Sequence, residues 1–109
     1  MRVWDIPPDR LCRNHLLGQH NEIHGLWTII TQDRKGFANH PETARWRGKL
    51  AALYRCHEET VAEMLRRGYN HASPLPPDLA TGQTTQAEYV DTPEQQARIL
   101  RDKPCGCHP

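Results

Sequence analysis

From Trp46 to Met64 the inward positions recur every third or fourth residue: Trp46, Leu50, Leu53, His57, Val61 and Met64. Gly68 continues the series, and Tyr54 and Leu65 flank it. That interval puts them on one face of a helix. A second run, Leu16, Ile23, Trp27 and Ile30 joined by Leu17 and Leu26, defines another helix with the same spacing. No alternate-residue pattern of useful length appears, so strands are not expected. The pattern predicts an all-α fold of two long helices and one short one, with long loops. At 109 residues the chain makes a single domain, 1–109, with little core to spare.

Local signals set the expected boundaries. Val3, Trp4 and Ile6 are apolar and suited to an extended backbone, so the N-terminal segment should pack onto the domain rather than dangle. Pro7-Pro8-Asp9 has the form of a helix start, and the first helix is predicted over 8–31. A polar loop follows over 32–40. Asn39 or His40 caps the second helix, with Pro41 and Glu42 in its first turn. It ends at Arg66-Arg67-Gly68, with cations in the last turn and then a glycine stop. Residues 71–86 form a loop rich in proline and threonine. Thr92-Pro93-Glu94-Gln95 has the form of a capping box, opening a short helix that runs to about Asp102.

The charge balance of +1 gives no overall basicity, yet it hides clusters. Arg45, Arg47 and Lys49 lie together, as do Arg98, Arg101 and Lys103. A one-sided basic surface for phosphates is one use of such clusters; a solvated face is the other. No run of eighteen apolar residues is present and the start carries no apolar signal core, so a cytoplasmic protein is expected. Cys12, Cys56, Cys105 and Cys107 are then thiols rather than disulfides.

His15, Gly18, Glu22 and Gly25 share a stripe of the first helix. Each glycine costs about 1 kcal/mol against alanine inside a helix. Two on one stripe predict that something lies close beside Glu22, the alternative being a solvated face with tolerated glycines. No Gly-rich phosphate loop, nucleophile elbow or paired-carboxylate site is present. Cys105-Gly106-Cys107-His108 could ligate a metal with Cys12, Cys56 or a histidine. One pair at an unusual spacing on a tail is not the two well-spaced pairs of a metal site, so no metal and no cofactor are expected. His15, His20 and His24, at i, i+5 and i+9, do not share a face, which counts against a helical zinc pair. The remaining nucleophile is the α-amino group of Met1, with the bulky Arg2 expected to prevent methionine removal. An α-amine has a pKa near 7.7–8.0 against about 10.4 for lysine, so far more of it is neutral at pH 7. A neutral amine can add to an aldehyde-like carbon and form an imine, and a carboxylate such as Glu22 could move the protons.

At this point the chain resembles the pyrimidine-dimer DNA glycosylase/AP lyase family, typified by phage endonuclease V. The resemblance rests on Arg2, on His15-Leu16 with Glu22 seven residues after the histidine, and on Lys49-Leu50 with Leu53. Arg67-Gly68-Tyr69-Asn70 and Ala97-Arg98-Ile99 extend it over most of the chain. The resemblance implies a compact helical domain with the N-terminal segment threaded between helices. It implies attack by the N-terminal α-amine on C1′ of a damaged nucleotide, then a Schiff base and β-elimination that cuts the strand. Glu22 matches the catalytic glutamate; Arg2, His15 and Arg98 match positions near the lesion or its phosphates. Met1 stands where the family carries a smaller residue. Asn21 and Gly25 stand where it carries arginines, and the cysteine tail replaces its aromatic C-terminus.

The expected activity is therefore a DNA glycosylase with AP-lyase activity that excises a damaged pyrimidine, a pyrimidine dimer or a related lesion. Its expected catalytic residues are Met1 and Glu22. Its expected DNA contacts are Arg2, His15, Asn21, Arg45, Arg47, Lys49, Arg98 and Arg101. The expected partner is double-stranded DNA with a damaged or abasic nucleotide, bound by a monomer without a membrane. The rivals are a non-catalytic DNA-binding module of the same fold, a glycosylase/lyase for another modified base or an abasic site, and a metal-binding protein using the cysteine tail.

Overall fold

The computed structural model describes residues 2–109. Four helices follow in order: α1 Arg13–Thr31, α2 Pro41–Trp46, α3 Leu50–Arg66 and α4 Pro93–Arg101. Short 3-10 turns lie at Pro8–Arg10 and Pro77–Leu79. Among the described residues no strand forms, as the all-α pattern predicts; Lys49 and Gly82 make an isolated bridge. Among the described residues no helix is long and apolar enough to cross a membrane.

The first helix starts later than expected. Pro8–Arg10 is a separate 3-10 turn, and Leu11 and Cys12 are extended. Leu11 is fully buried with Leu16, Met64 and Leu100, and reaching that position requires the chain to straighten. Cys12 then caps α1, its sulfur accepting from the His15 amide.

The expected second helix is two helices. Arg47-Gly48-Lys49 breaks it, with Gly48 at φ +73°. The first amides of α3 have no side-chain cap. A loop supplies their acceptors instead: Ala51 N donates to Thr81 O at 2.8 Å and Ala52 N to Gln83 O at 3.0 Å. Gly82 makes this docking possible. A Cβ there would sit 2.1 Å from the Gly48 carbonyl oxygen, at φ +84°. His40 caps α2 through Nδ1, and Thr92 with Gln95 forms the complete capping box of α4.

The core has two halves, and the N-terminal segment runs between them. Val3 packs into one with Ile23, Trp27, Trp46, Leu53 and Leu75. Trp4 and Ile6 pack into the other with Leu11, Leu16, Met64 and Leu100. Burying such side chains is worth roughly 1.5–3 kcal/mol each, so residues 3–6 are part of the core and not an appended tail.

Candidate functional site

Three consecutive backbone amides of the N-terminal segment are held by three side chains from three helices. Val3 N donates to Glu42 Oε2 of α2 at 3.0 Å, Trp4 N to Gln19 Oε1 of α1 at 2.7 Å, and Asp5 N to Gln96 Oε1 of α4 at 2.7 Å. An extended segment inside a helical domain has no neighbouring strand, so side chains must satisfy its amides. Gln19 also donates to Thr60 Oγ1 at 3.2 Å, which ties in α3. Three helices thus hold the segment directly, and α3 supports it through Gln19.

Arg45 closes the arrangement. Its guanidinium donates to both Glu42 oxygens at 2.8 Å and to the Val3 carbonyl at 2.9 Å, and it pairs with Asp5 at 2.9 Å. Burial opposes the charge, but Glu42 and Asp5 outweigh it and raise the Arg45 pKa above its ordinary value. Lys49 is also turned inward, donating to Gln86 and Glu88 at 2.8 Å. These two cations, expected on a DNA surface, are engaged within the protein. Arg45 is drawn inward by Glu42, one turn earlier on α2, and by Asp5, whereas Lys49 follows the break at Gly48 and reaches Gln86 and Glu88.

Glu22 is half-buried on α1, three residues beyond Gln19 and adjacent to Ile23, which packs in one cluster with Val3. Among the described residues its carboxylate has no hydrogen-bond or ion-pair partner. Met1 lies outside the described residues. Arg2, next to it, pairs with Asp91 at 2.9 Å and lies over the Trp4 ring at 4.9 Å.

Among residues 2–109 the glycine stripe takes the second of its two readings, a face with nothing packed on it. A Cβ at Gly18 or at Gly25 would meet nothing within 4 Å. Residues 3–5 run along the Gln19 and Ile23 side of α1, and none of the described residues covers the glycines on the stripe that carries Glu22. Asn21 is exposed beside it. Arg47, Arg98 and Arg101 are exposed, with Arg47 donating to the Ala38 carbonyl at 3.0 Å. A cavity of about 540 Å³ lies elsewhere, between Trp4, Gln19, Trp46 and α3, and is lined neither by Glu22 nor by a candidate cation.

His15 does not face open solvent. Its ring stands edge-on to Trp4 at 5.6 Å, and its Nδ1 lies 3.1 Å from Cys12 Sγ and 3.4 Å from Cys107 Sγ. Cys12, His15, Cys105 and Cys107 bring four ligand atoms within 4.8 Å of one another. Cys56 stands apart, its thiol pushed up to about 12 by burial, with the Asp5 and Glu59 charges adding to the effect. A second group, His20, His24, His57 and His71, also gathers its nitrogens within 4.8 Å. Burial, then the neighbouring His24, His57 and His71 rings, push His20 down to about 4. His20 and His24 are four apart and do share a face of α1; taking them together with His15 hides that pair. His57 was legible only as an inward position of its helix, and His71 had no signal beyond residue type.

A family model described as pyrimidine dimer DNA glycosylase matches residues 1–77. That span holds Met1, Glu22 and α1 to α3, and stops short of α4 and the cysteine tail. No curated protein and no solved structure matches the chain.

Proposed function

The chain belongs to the pyrimidine dimer DNA glycosylase family, and we propose that it cuts damaged DNA as a glycosylase with AP-lyase activity, through the α-amine of Met1 and the carboxylate of Glu22. The threading of residues 3–5 carries this reading. Their amides are fixed by Glu42, Gln19 and Gln96, and Val3 packs with the neighbour of Glu22. A nucleophile at the chain terminus needs such anchoring, because ordering it in advance supplies much of the rate.

The amine lone pair adds to C1′ of the damaged nucleotide, and the base leaves with the electrons of its glycosidic bond. Loss of the amine proton and opening of the sugar ring at O4′ give the imine. A base removes a proton from C2′, and those electrons expel the 3′ phosphate. Water then releases the sugar fragment and regenerates the amine. Glu22 serves these proton transfers. The open stripe of Gly18 and Gly25 leaves room for a DNA backbone to approach that carboxylate. The target nucleotide is turned out of the duplex to reach it. Arg2, Asn21, Arg47, Arg98 and Arg101 supply the contacts to DNA, bound by a monomer, while Arg45 and Lys49 serve the fold.

Glu22→Gln tests the assignment on duplexes carrying a pyrimidine dimer or an abasic site. Binding should persist, and strand cleavage should fall by about 100-fold or more. Cleavage at the wild-type rate would refute the role of Glu22. A second reading, DNA binding without chemistry, is favoured by Asn21 and Gly25, which replace the cations expected beside the glutamate. It predicts that wild type and Glu22→Gln are equally inactive.

A further inference from the structure

We propose that Cys12, His15, Cys105 and Cys107 form a structural zinc site that clips the C-terminal tail onto the start of α1. The four ligand atoms come from segments about ninety residues apart, yet lie within 4.8 Å of one another. Zinc takes Cys sulfur at about 2.3 Å and His nitrogen at about 2.0–2.1 Å, which puts tetrahedral ligand atoms roughly 3.5–3.8 Å apart. The observed separations of 3.1 Å (Cys12 Sγ to His15 Nδ1) and 3.4 Å (Cys107 Sγ to His15 Nδ1) need only a slight expansion to admit the ion. Three thiols and one imidazole complete a four-coordinate set with no open position, the pattern of a structural rather than a catalytic zinc.

The backbone is arranged around the same point. Cys12 N donates to Cys107 Sγ at 3.0 Å, an outer hydrogen bond suited to a metal-bound thiolate. His108 N donates to Arg10 O at 3.0 Å and pins the tail alongside. Gly106, at φ +90°, turns the chain so that the cysteines on either side face α1. Cys12 and His15 sit at the cap and in the first turn of that helix, so the helix start sets their spacing. All four cysteines of the chain are free thiols.

A different observation points to a second site, for a divalent cation that favours imidazole, at His20, His24, His57 and His71. His57 Nδ1 lies 3.0 Å from Glu58 Oε1, and His71 Nε2 lies 3.0 Å from the Ser73 carbonyl. Both partners are acceptors, so each of these two nitrogens donates outward, and the other nitrogen of each ring is left as its lone-pair acceptor, that of His57 facing His24. His24 Nε2 and His57 Nε2 lie 3.2 Å apart, and the buried His20 Nε2 has no hydrogen-bond partner. Converging lone pairs around an orphaned nitrogen are what a cation would satisfy.

Cobalt titration of the untagged protein, followed by zinc competition and metal analysis, separates the two sites. Only the cysteine site can give the thiolate-to-cobalt charge-transfer band. Wild type should show that band at one equivalent, lose it on adding zinc, and bind a second cation without it. Cys105→Ser with Cys107→Ser should abolish the band and keep the second cation. His15→Cys should keep the site and strengthen the band by about one third, from three thiolates to four. His24→Ala with His71→Ala should lose one cation and keep the band, which also shows that those variants fold. Absence of the band in reduced wild type, or recovery of Cys12 joined to a tail cysteine as a disulfide, would overturn the zinc site. A wild-type stoichiometry of one, unchanged by the histidine variants, would overturn the second.

Discussion

The amide of Trp4 donates to the Gln19 side chain at 2.7 Å, three residues before Glu22 on the same helix. This bond fixes the height at which the N-terminal segment meets α1, and so the height from which residues 3 and 2 continue past Ile23.

Gln19→Ala should therefore do two things. It leaves a buried amide without an acceptor, a cost of about 1–3 kcal/mol in urea unfolding. It should also reduce cleavage more than it reduces DNA binding, because the terminus loses its register. Equal losses of binding and cleavage would contradict a positioning role.

Arg45 and Arg98 should part company. Arg45→Met strips the partner from buried Glu42 and from Asp5, and should cost about 3–5 kcal/mol of stability while leaving the salt dependence of DNA binding unchanged. Arg98→Ala should leave stability nearly unchanged and reduce the slope of log affinity against log salt by about 1. The measurements are urea midpoints and binding isotherms across salt.

The helical plan could be followed in the chain because it depends on interval. The three-and-four spacing located α1 and α3, and Thr92 with Gln95 marked α4. The break at Gly48 was hidden because its cause is distant: Gly82 docks on it, and a glycine in a helical pattern does not announce its partner. The threading was half legible, in Trp4 and Ile6 being too apolar for a loose tail. Gln19, Glu42 and Gln96 were not, since a polar residue that accepts a backbone amide looks like any solvated one. The cysteine cluster was visible as ligand types but not as a set, because Cys12 and Cys107 meet only after the chain has folded.

The open glycine stripe gives a test in which stability and function move in opposite directions. Gly18→Ala and Gly25→Ala meet no neighbour within 4 Å, so each should stabilise the protein by up to about 1 kcal/mol through helix propensity. If DNA approaches Glu22 across that stripe, both should weaken binding or cleavage. Thermal denaturation and cleavage rates decide it; variants that are stabilised and fully active would show that the stripe faces only water.

Acid should loosen the junction between α3 and the segment before α1. Hydrogen bonds from Arg66, and then from Arg67, hold the Glu63 carboxyl at about 2 against its ordinary 4.5, although burial pushes the other way. Arg67 in turn donates to the Leu11 carbonyl at 2.7 Å. A lowered native pKa means that the stabilisation is whole above about 4.5 and fades as the pH falls toward about 2. Glu63→Gln should flatten the loss of stability across that window. An unchanged acid limb would assign the acid sensitivity to other carboxylates.

The most direct measurement is borohydride trapping. Untagged protein is mixed with duplex DNA carrying one abasic site, reduced, digested and mapped by mass spectrometry. A covalent link is expected at the Met1 amine, and it should be lost when the N-terminus is extended by a residue or acetylated. A link on a lysine, or no link while DNA binding is intact, would contradict it.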